Sequence, residues 1–200
     1  MRADWTTEAP VKDRRVRRSR AALMRAAVEL VSERDSAAVA VSEIAEAADV
    51  SRQVLYQQFG DRDSLVLEAA QDLVRRELLT GPPEFPDDER AAILALARHF
   101  AAHRRFYRAL LTGASAYAFT EALTGLFLPL NRRHLGRTLG DVLDPQGIED
   151  LATFLTGGAG AVVNAWVVDG PDPLDAGEFT DRLLRIRSVV TSMITKEAGR

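Results

Sequence analysis

The sequence predicts an all-α chain of about nine helices, with a small N-terminal domain followed by a larger helical bundle. Three observations carry this. Apolar residues recur at helical spacing along almost the whole chain. No stretch alternates apolar and polar residues as a half-buried strand does. A single Gly/Pro-rich break, Thr80-Gly81-Pro82-Pro83 with Pro86 behind it, divides the chain. With 200 residues there is room for one compact helical unit and a small appended domain.

Residues 1–13 are polar and are expected to form a disordered tail. Leu23, Ala26, Ala27, Leu30 and Val31 fall at i, i+3, i+4, i+7 and i+8, which predicts a helix over about 15–34. Ile44, Ala45 and Ala48 put an apolar stripe on a short helix. Asp49-Val50 then suits a tight turn, because Asp tolerates the left-handed region better than most residues. Ser51 is a natural N-cap for a second short helix, in which Val54 or Leu55 and Phe59 face inward. Residues 14–62 thus form the first domain. Val66, Ala69, Ala70, Leu73 and Val74 predict a connecting helix within 63–80.

The second domain spans 81–200. Ile93, Leu96, Ala97, Phe100 and Ala101 mark one helix, and Phe106, Tyr107, Leu110 and Leu111 a short one ending near Gly113. Ala116, Phe119, Thr120, Leu123, Phe127 and Leu130 mark a longer helix, expected to bend at Pro129. Asp144-Pro145 and Asp169-Gly170-Pro171 bracket a further helix. Phe179, Leu183, Ile186, Val190 and Met193 mark the last.

Composition narrows the function. Hydrophobic residues at 46% and charged residues at 28% fit a folded soluble protein and argue against disorder. Without cysteine there is no disulfide framework, thiolate metal site or cysteine nucleophile. The first residues lack the apolar run of a secretory signal, so a cytoplasmic location is expected. The net charge of -3 is unevenly spread. Lys12, Arg14, Arg15, Arg17, Arg18, Arg20 and Arg25 are opposed over that stretch by Asp13 alone. Screening confines phosphate binding to local charge within about 10 Å, so this cluster suits either phosphates or a solvated helix start.

Residues 151–168 carry no charge. At about 1.5 Å per residue they would barely span a ~30 Å hydrocarbon core. The stretch also holds Thr153, Thr156, Asn164, Gly157, Gly158 and Gly160, and Asp150 and Asp169 flank it instead of Lys or Arg. A buried interface helix is expected, and no membrane partner.

The two short helices and the turn between them form a helix-turn-helix unit, whose second helix offers Arg52, Gln53, Tyr56 and Gln57 outward. Such a helix presents its N-terminal side chains to base edges in a major groove. Here the sequence resembles the TetR family of transcription regulators. The resemblance rests on Val41-Ser42-Glu43-Ile44-Ala45, Ala47-Ala48-Asp49-Val50-Ser51, Leu55-Tyr56-Gln57-Gln58-Phe59 and Arg62-Asp63-Ser64-Leu65. It is specific over about 15–80 and looser over the rest. It departs from the family pattern at Asp49, usually Gly, at Ala40, often Thr, at Gln58, commonly His, and at Val54, usually small or Thr.

The resemblance implies base contacts from Arg52, Gln53, Val54 and Gln57. It implies phosphate contacts from Ser42, Tyr56, Gln58 and Arg62, to which the chemistry and charge of Ser51, Arg17 and Arg18 add three more. Arg suits guanine, Gln adenine and a Val methyl the thymine methyl. It also implies a ligand-responsive regulator, with repressor as the default, that binds a near-palindromic operator in double-stranded DNA as a homodimer and is released by a small apolar effector.

Helical bundles commonly enclose an apolar site with a few polar groups. The expected lining is Phe100, His103, Phe106, Tyr107, Tyr117, Leu123, Phe127, Asn131, Asn164 and Trp166. The expected dimer interface is Phe154, Gly157, Ala161, Ala165, Phe179, Leu183, Ile186, Val190 and Met193, on the last two long helices. His99 and His103 have a metal-ligand spacing, but His134 is the one histidine left, so no metal is expected and no cofactor either. The rival classes are a small all-α hydrolase or lyase and a ligand-free adaptor. No nucleophile–base pair stands out for the first, so no enzyme is expected, and salt-dependent DNA retention separates a regulator from both.

Overall fold

In the computed structural model, residues 8–79 and 88–198 are described, with side chains over 14–79 and 88–192. Among them are nine helices and no strand: α1 (Glu8–Arg34), α2 (Val41–Ala47), α3 (Arg52–Phe59), α4 (Arg62–Leu78), α5 (Glu89–Ala102), α6 (Arg104–Leu111), α7 (Ala116–Leu139), α8 (Pro145–Asp169) and α9 (Ala176–Ala198). The break at Thr80–Pro86, the tail over residues 1–7 and the side chain of Met193 lie outside the described residues.

Two helices differ from their expected bounds. α1 begins at Glu8, so residues 8–13, expected as tail, are helical. Pro10 sits in the first turn, where a backbone N–H has no intrahelical acceptor and its absence costs nothing. α7 runs through Pro129 to Leu139, well past Leu130. Leu135 and Leu139 extend its buried stripe against Ile148, Ala152 and Leu155 of α8, making a small second core.

Helix ends follow local chemistry. Asp61 caps α4 by accepting from Ser64 N at 2.7 Å, and Asp144 caps α8 from Gly147 N at 2.7 Å, with Pro145 in the first turn. Two arginines at the start of α6 each hold the end of another helix. Arg104 donates to the carbonyls of Val167, Gly170 and Pro171 behind α8. Arg105 donates to Glu33 O and to the Asp35 carboxylate behind α1.

The main core is continuous through both parts of the chain. Leu23, Val31, Ile44, Leu55 and Phe59 of the first three helices join Leu73, Ile93, Phe100, Tyr107, Phe119 and Trp166. α1 packs on both α4 and α6, and α4 also packs on α7. Close-packed side chains thus connect the bundle to the first domain.

Candidate nucleic-acid interface and ligand cavity

The turn between α2 and α3 is a Schellman motif. Val50 N donates to Ala45 O at 3.0 Å and Asp49 N to Glu46 O at 3.0 Å, with Asp49 at φ 53. The left-handed residue falls where the sequence places the turn. Ser51 then caps α3, its Oγ accepting from Val54 N at 3.4 Å. That bond leaves the Ser51 hydroxyl proton available to a phosphate oxygen. Ala40, the N-cap of α2, has no side-chain acceptor. Glu43 supplies the reverse half of a capping box by accepting from Ala40 N at 3.2 Å.

Leu55 and Phe59 are buried and fix the inner face of α3. Arg52, Gln53 and Gln57 are exposed on the other face, and Val54 is partly covered. Tyr56 is 53% exposed, so it does not belong to the core. Ser42 and Ser51 are exposed beside this face. Arg62 donates to Asp63 Oδ1 at 2.8 Å, an exposed pair that a phosphate can replace at little cost. Arg17 and Arg18 are exposed on α1.

Two side chains expected at the phosphates are turned inward. Gln58 donates through Nε2 to Ser19 Oγ at 2.7 Å, and its Oε1 is buried. Arg20, part of the basic cluster, donates to Gln58 O at 3.0 Å, pairs with Glu68 and lies over the Phe59 ring at 4.3 Å. Both hold α1 against its neighbours, Gln58 tying α3 to α1 and Arg20 tying α1 to α3 and α4.

The second feature is a cleft of about 110 Å³ between α5, α7, α8 and α9. Phe100, Leu123, Phe127, Asn131 and Asn164 line it as expected from the sequence. The other five expected residues do not. Phe106 and Tyr107 are fully buried, because the short α6 turns both rings into the core. His103 hydrogen-bonds Glu77, Tyr117 is 78% exposed, and Trp166 stacks on Phe179 with centroids 4.1 Å apart. Thr156, Gly160, Leu183 and Arg187 line the cleft without having been singled out as lining. Their signal depends on how α8 and α9 are rotated, which spacing within one helix does not give.

The polar wall is specific. Thr156 Oγ1 donates to Ala152 O at 2.7 Å, so Asn131 must be the donor in its 2.9 Å bond to Thr156 Oγ1. Asn131 Oδ1 is left buried without a partner. Arg187, almost fully buried, pairs with Glu89 at 2.6 Å.

Residues 23–69 match the family model described as bacterial regulatory proteins, tetR family. The chain carries the DNA-binding domain of the TetR family. Residues 23–69 are accordingly the DNA-binding domain of a regulatory protein. No curated protein sequence matches it. Solved structures share the fold. A tetR-family transcriptional regulator from Streptomyces coelicolor has 21% identity and a TM-score of 0.61, covering 90% of this chain and 85% of that one. The dihydroxyacetone kinase operon activator DhaS has 12% identity and a TM-score of 0.66, covering 88% and 96%. The TetR family repressor AlkX from Dietzia, implicated in n-alkane biodegradation, has 20% identity and a TM-score of 0.53, covering 88% and 95%.

The expected dimer residues divide into two sets. Phe179 and Leu183 are buried in the chain's own core. Phe154, 64% exposed, and Ile186, 42% exposed, stand with exposed Gly157, Ala161 and Ala165, while Val190 is partly covered. Val189, 58% exposed, is a further apolar side chain on α9 and was not singled out. α8 is long and apolar enough to cross a membrane by composition, and 33% of its most apolar stretch is buried within the chain. The rest leaves an apolar face uncovered.

Proposed function

We propose that the chain is a ligand-responsive repressor that binds a near-palindromic operator as a homodimer and leaves it when a small, largely apolar effector enters the cleft. The observation that carries this is the cleft itself, between α5, α7, α8 and α9 and bounded by Phe100, a member of the core that continues to α1 and α4. An effector can shift the chain only by its differential affinity for two states, and side chains packed from cleft to recognition helix supply the means. The wall is apolar apart from a few groups, of which Asn131 Oδ1 lacks a donor. A hydrophobic molecule ending in an alcohol or amide N–H would satisfy it.

The uncovered face of α8 and α9 supports the homodimer. Small residues there allow close helix approach, and the flanking Asp150 and Asp169 disfavour lipid headgroups. In the test, fragments of a genomic library are selected on the protein and the protected site is mapped. A panel of long-chain alcohols and amides is then screened by thermal shift and by loss of DNA binding. A two-fold related site and release by at least one stabilising compound are expected. Stabilisation that never alters DNA binding would remove the effector part of this reading. A reporter gene under the mapped site shows repression as increased expression when the regulator is deleted.

A further inference from the structure

Glu77, His99 and His103 converge. Glu77 lies in the last turn of α4, His99 in the last turn of α5, and His103 at the joint between α5 and α6. His99 Nδ1 donates to Glu77 Oε2 at 2.9 Å, and His103 Nε2 donates to the same oxygen at 3.0 Å. The three ligand atoms lie within 4.8 Å of one another. Behind His99, its Nε2 accepts from the Tyr107 hydroxyl at 2.7 Å. Burial pushes the Tyr107 hydroxyl well above its ordinary value, so it keeps its proton, and burial lowers His99 and keeps it neutral.

We propose that Glu77, His99 and His103 form a site for one divalent transition-metal ion of the zinc type, which fastens the end of α4 to α5. The inference stands apart from the effector cleft and does not depend on it. Two imidazole nitrogens and a carboxylate oxygen are the donor set of an open zinc site, whose fourth position takes water. With metal–ligand bonds of about 2.0–2.1 Å, the edges of a tetrahedral site are about 3.3 Å. The observed 2.9 and 3.0 Å contacts need open by only a few tenths of an ångström. Glu77 at 41% and His103 at 26% side-chain exposure leave a path for the ion, while His99 at 2% is held by its neighbours.

On binding, His99 would hold the ion through Nδ1 and turn its Nε2–H to Tyr107 Oη, and His103 would hold it through Nε2. Tyr107 becomes the outer partner that orients the ligating ring. The i, i+4 histidine spacing was visible in the sequence. Glu77 is 22 residues before His99, and only the packing of α4 on α5 brings it into place.

The test uses the full chain, stripped with a chelator and titrated with zinc ion against a chromophoric competitor. One ion per protomer is expected. His103→Ala and Glu77→Gln, both at partly exposed positions, should each weaken binding by more than roughly tenfold, and Tyr107→Phe by about 10–100-fold. His134→Ala, on α7, should leave it unchanged. Hydrogen exchange over the last turn of α4 should slow with zinc in the wild type and not in His103→Ala. Circular dichroism of the metal-free variants checks that they fold. Absence of stoichiometric binding at micromolar zinc, or equal binding by wild type, His103→Ala and Glu77→Gln, would overturn the site. Binding with no slowing of exchange would overturn the fastening of α4.

Discussion

Arg105 and Asp35 form a two-pronged pair, Nε donating to Oδ1 and Nη2 to Oδ2, each at 3.1 Å. The pair joins the first turn of α6 to the residue just past the end of α1, where Asp35 has φ 49. A cation at that end also opposes the partial negative charge of the last carbonyls. The hydrogen bond from Arg105 holds the Asp35 carboxyl below its ordinary 3.8. A depressed folded-state value means that the pair stabilises above the unfolded value and is lost as pH falls through the folded one. Arg105→Ala should therefore lower the unfolding temperature at neutral pH. The difference should shrink as pH drops below 3.8. Both side chains are more than half exposed, so the effect is small and salt-sensitive. Thermal unfolding across pH, with wild type and variant side by side, measures it.

Base reading and phosphate binding should separate by mutation. Arg52 and Gln57 are exposed on the outer face of α3, away from the buried Leu55 and Phe59. Replacing either by Ala should cost about 1–3 kcal/mol on the mapped operator and relax preference at one position. Arg62→Ala should weaken every sequence alike and lower the salt slope by about one. Fluorescence anisotropy at several salt concentrations, on operator and scrambled duplexes, distinguishes them. If Arg52→Ala kept both affinity and preference, the base-reading role would be wrong.

The start of α2 and the turn after it predict opposite outcomes. Ala40 occupies an N-cap without a side-chain acceptor, so Ala40→Thr should stabilise the chain by about 0.5–2 kcal/mol. The new hydroxyl also stands near Ser42 and should strengthen DNA binding. Asp49 is left-handed, so Asp49→Val, which puts a branched Cβ there, should destabilise by about 1–2 kcal/mol. Asp49→Gly should carry no such penalty. Urea unfolding gives both signs.

What the sequence made legible was local. The turn at Asp49 and the cap at Ser51 depend on residues within one short segment, and both are found where the pattern puts them. The helix start marked by Asp144-Pro145 is of the same kind. What it hid depends on how helices rotate against one another. Tyr107 reads equally well as pocket or core, and only the docking of α6 decides for core. Arg20 reads as one more phosphate contact until Glu68 and Phe59 are seen beside it. Leu183 continues the same stripe as Ile186, yet one is buried in the chain and the other is exposed. A stripe of one helix has two flanks, and spacing does not say which neighbour covers each.

That division of α8 and α9 yields the sharpest test of assembly. Phe154, Gly157, Ala161 and Ala165 recur at three and four residues and are all exposed, which makes one apolar stripe down α8. Ile186 and Val189 are further exposed apolar side chains on α9. An isologous contact would bury this face against its own copy as a four-helix interface. It would also set two recognition helices on successive half-sites about 34–36 Å apart. Ala161→Arg places a charge at the centre of the stripe, where burial without a partner is strongly unfavourable. Sedimentation equilibrium at micromolar concentration should show a dimer for the wild type and a monomer for Ala161→Arg. Specific DNA binding should be lost with it, since one recognition helix reads only a few base pairs. Circular dichroism should stay unchanged, because Ala161 is exposed and contributes nothing to the chain's own core. A variant that remains dimeric with full operator affinity would place the interface elsewhere.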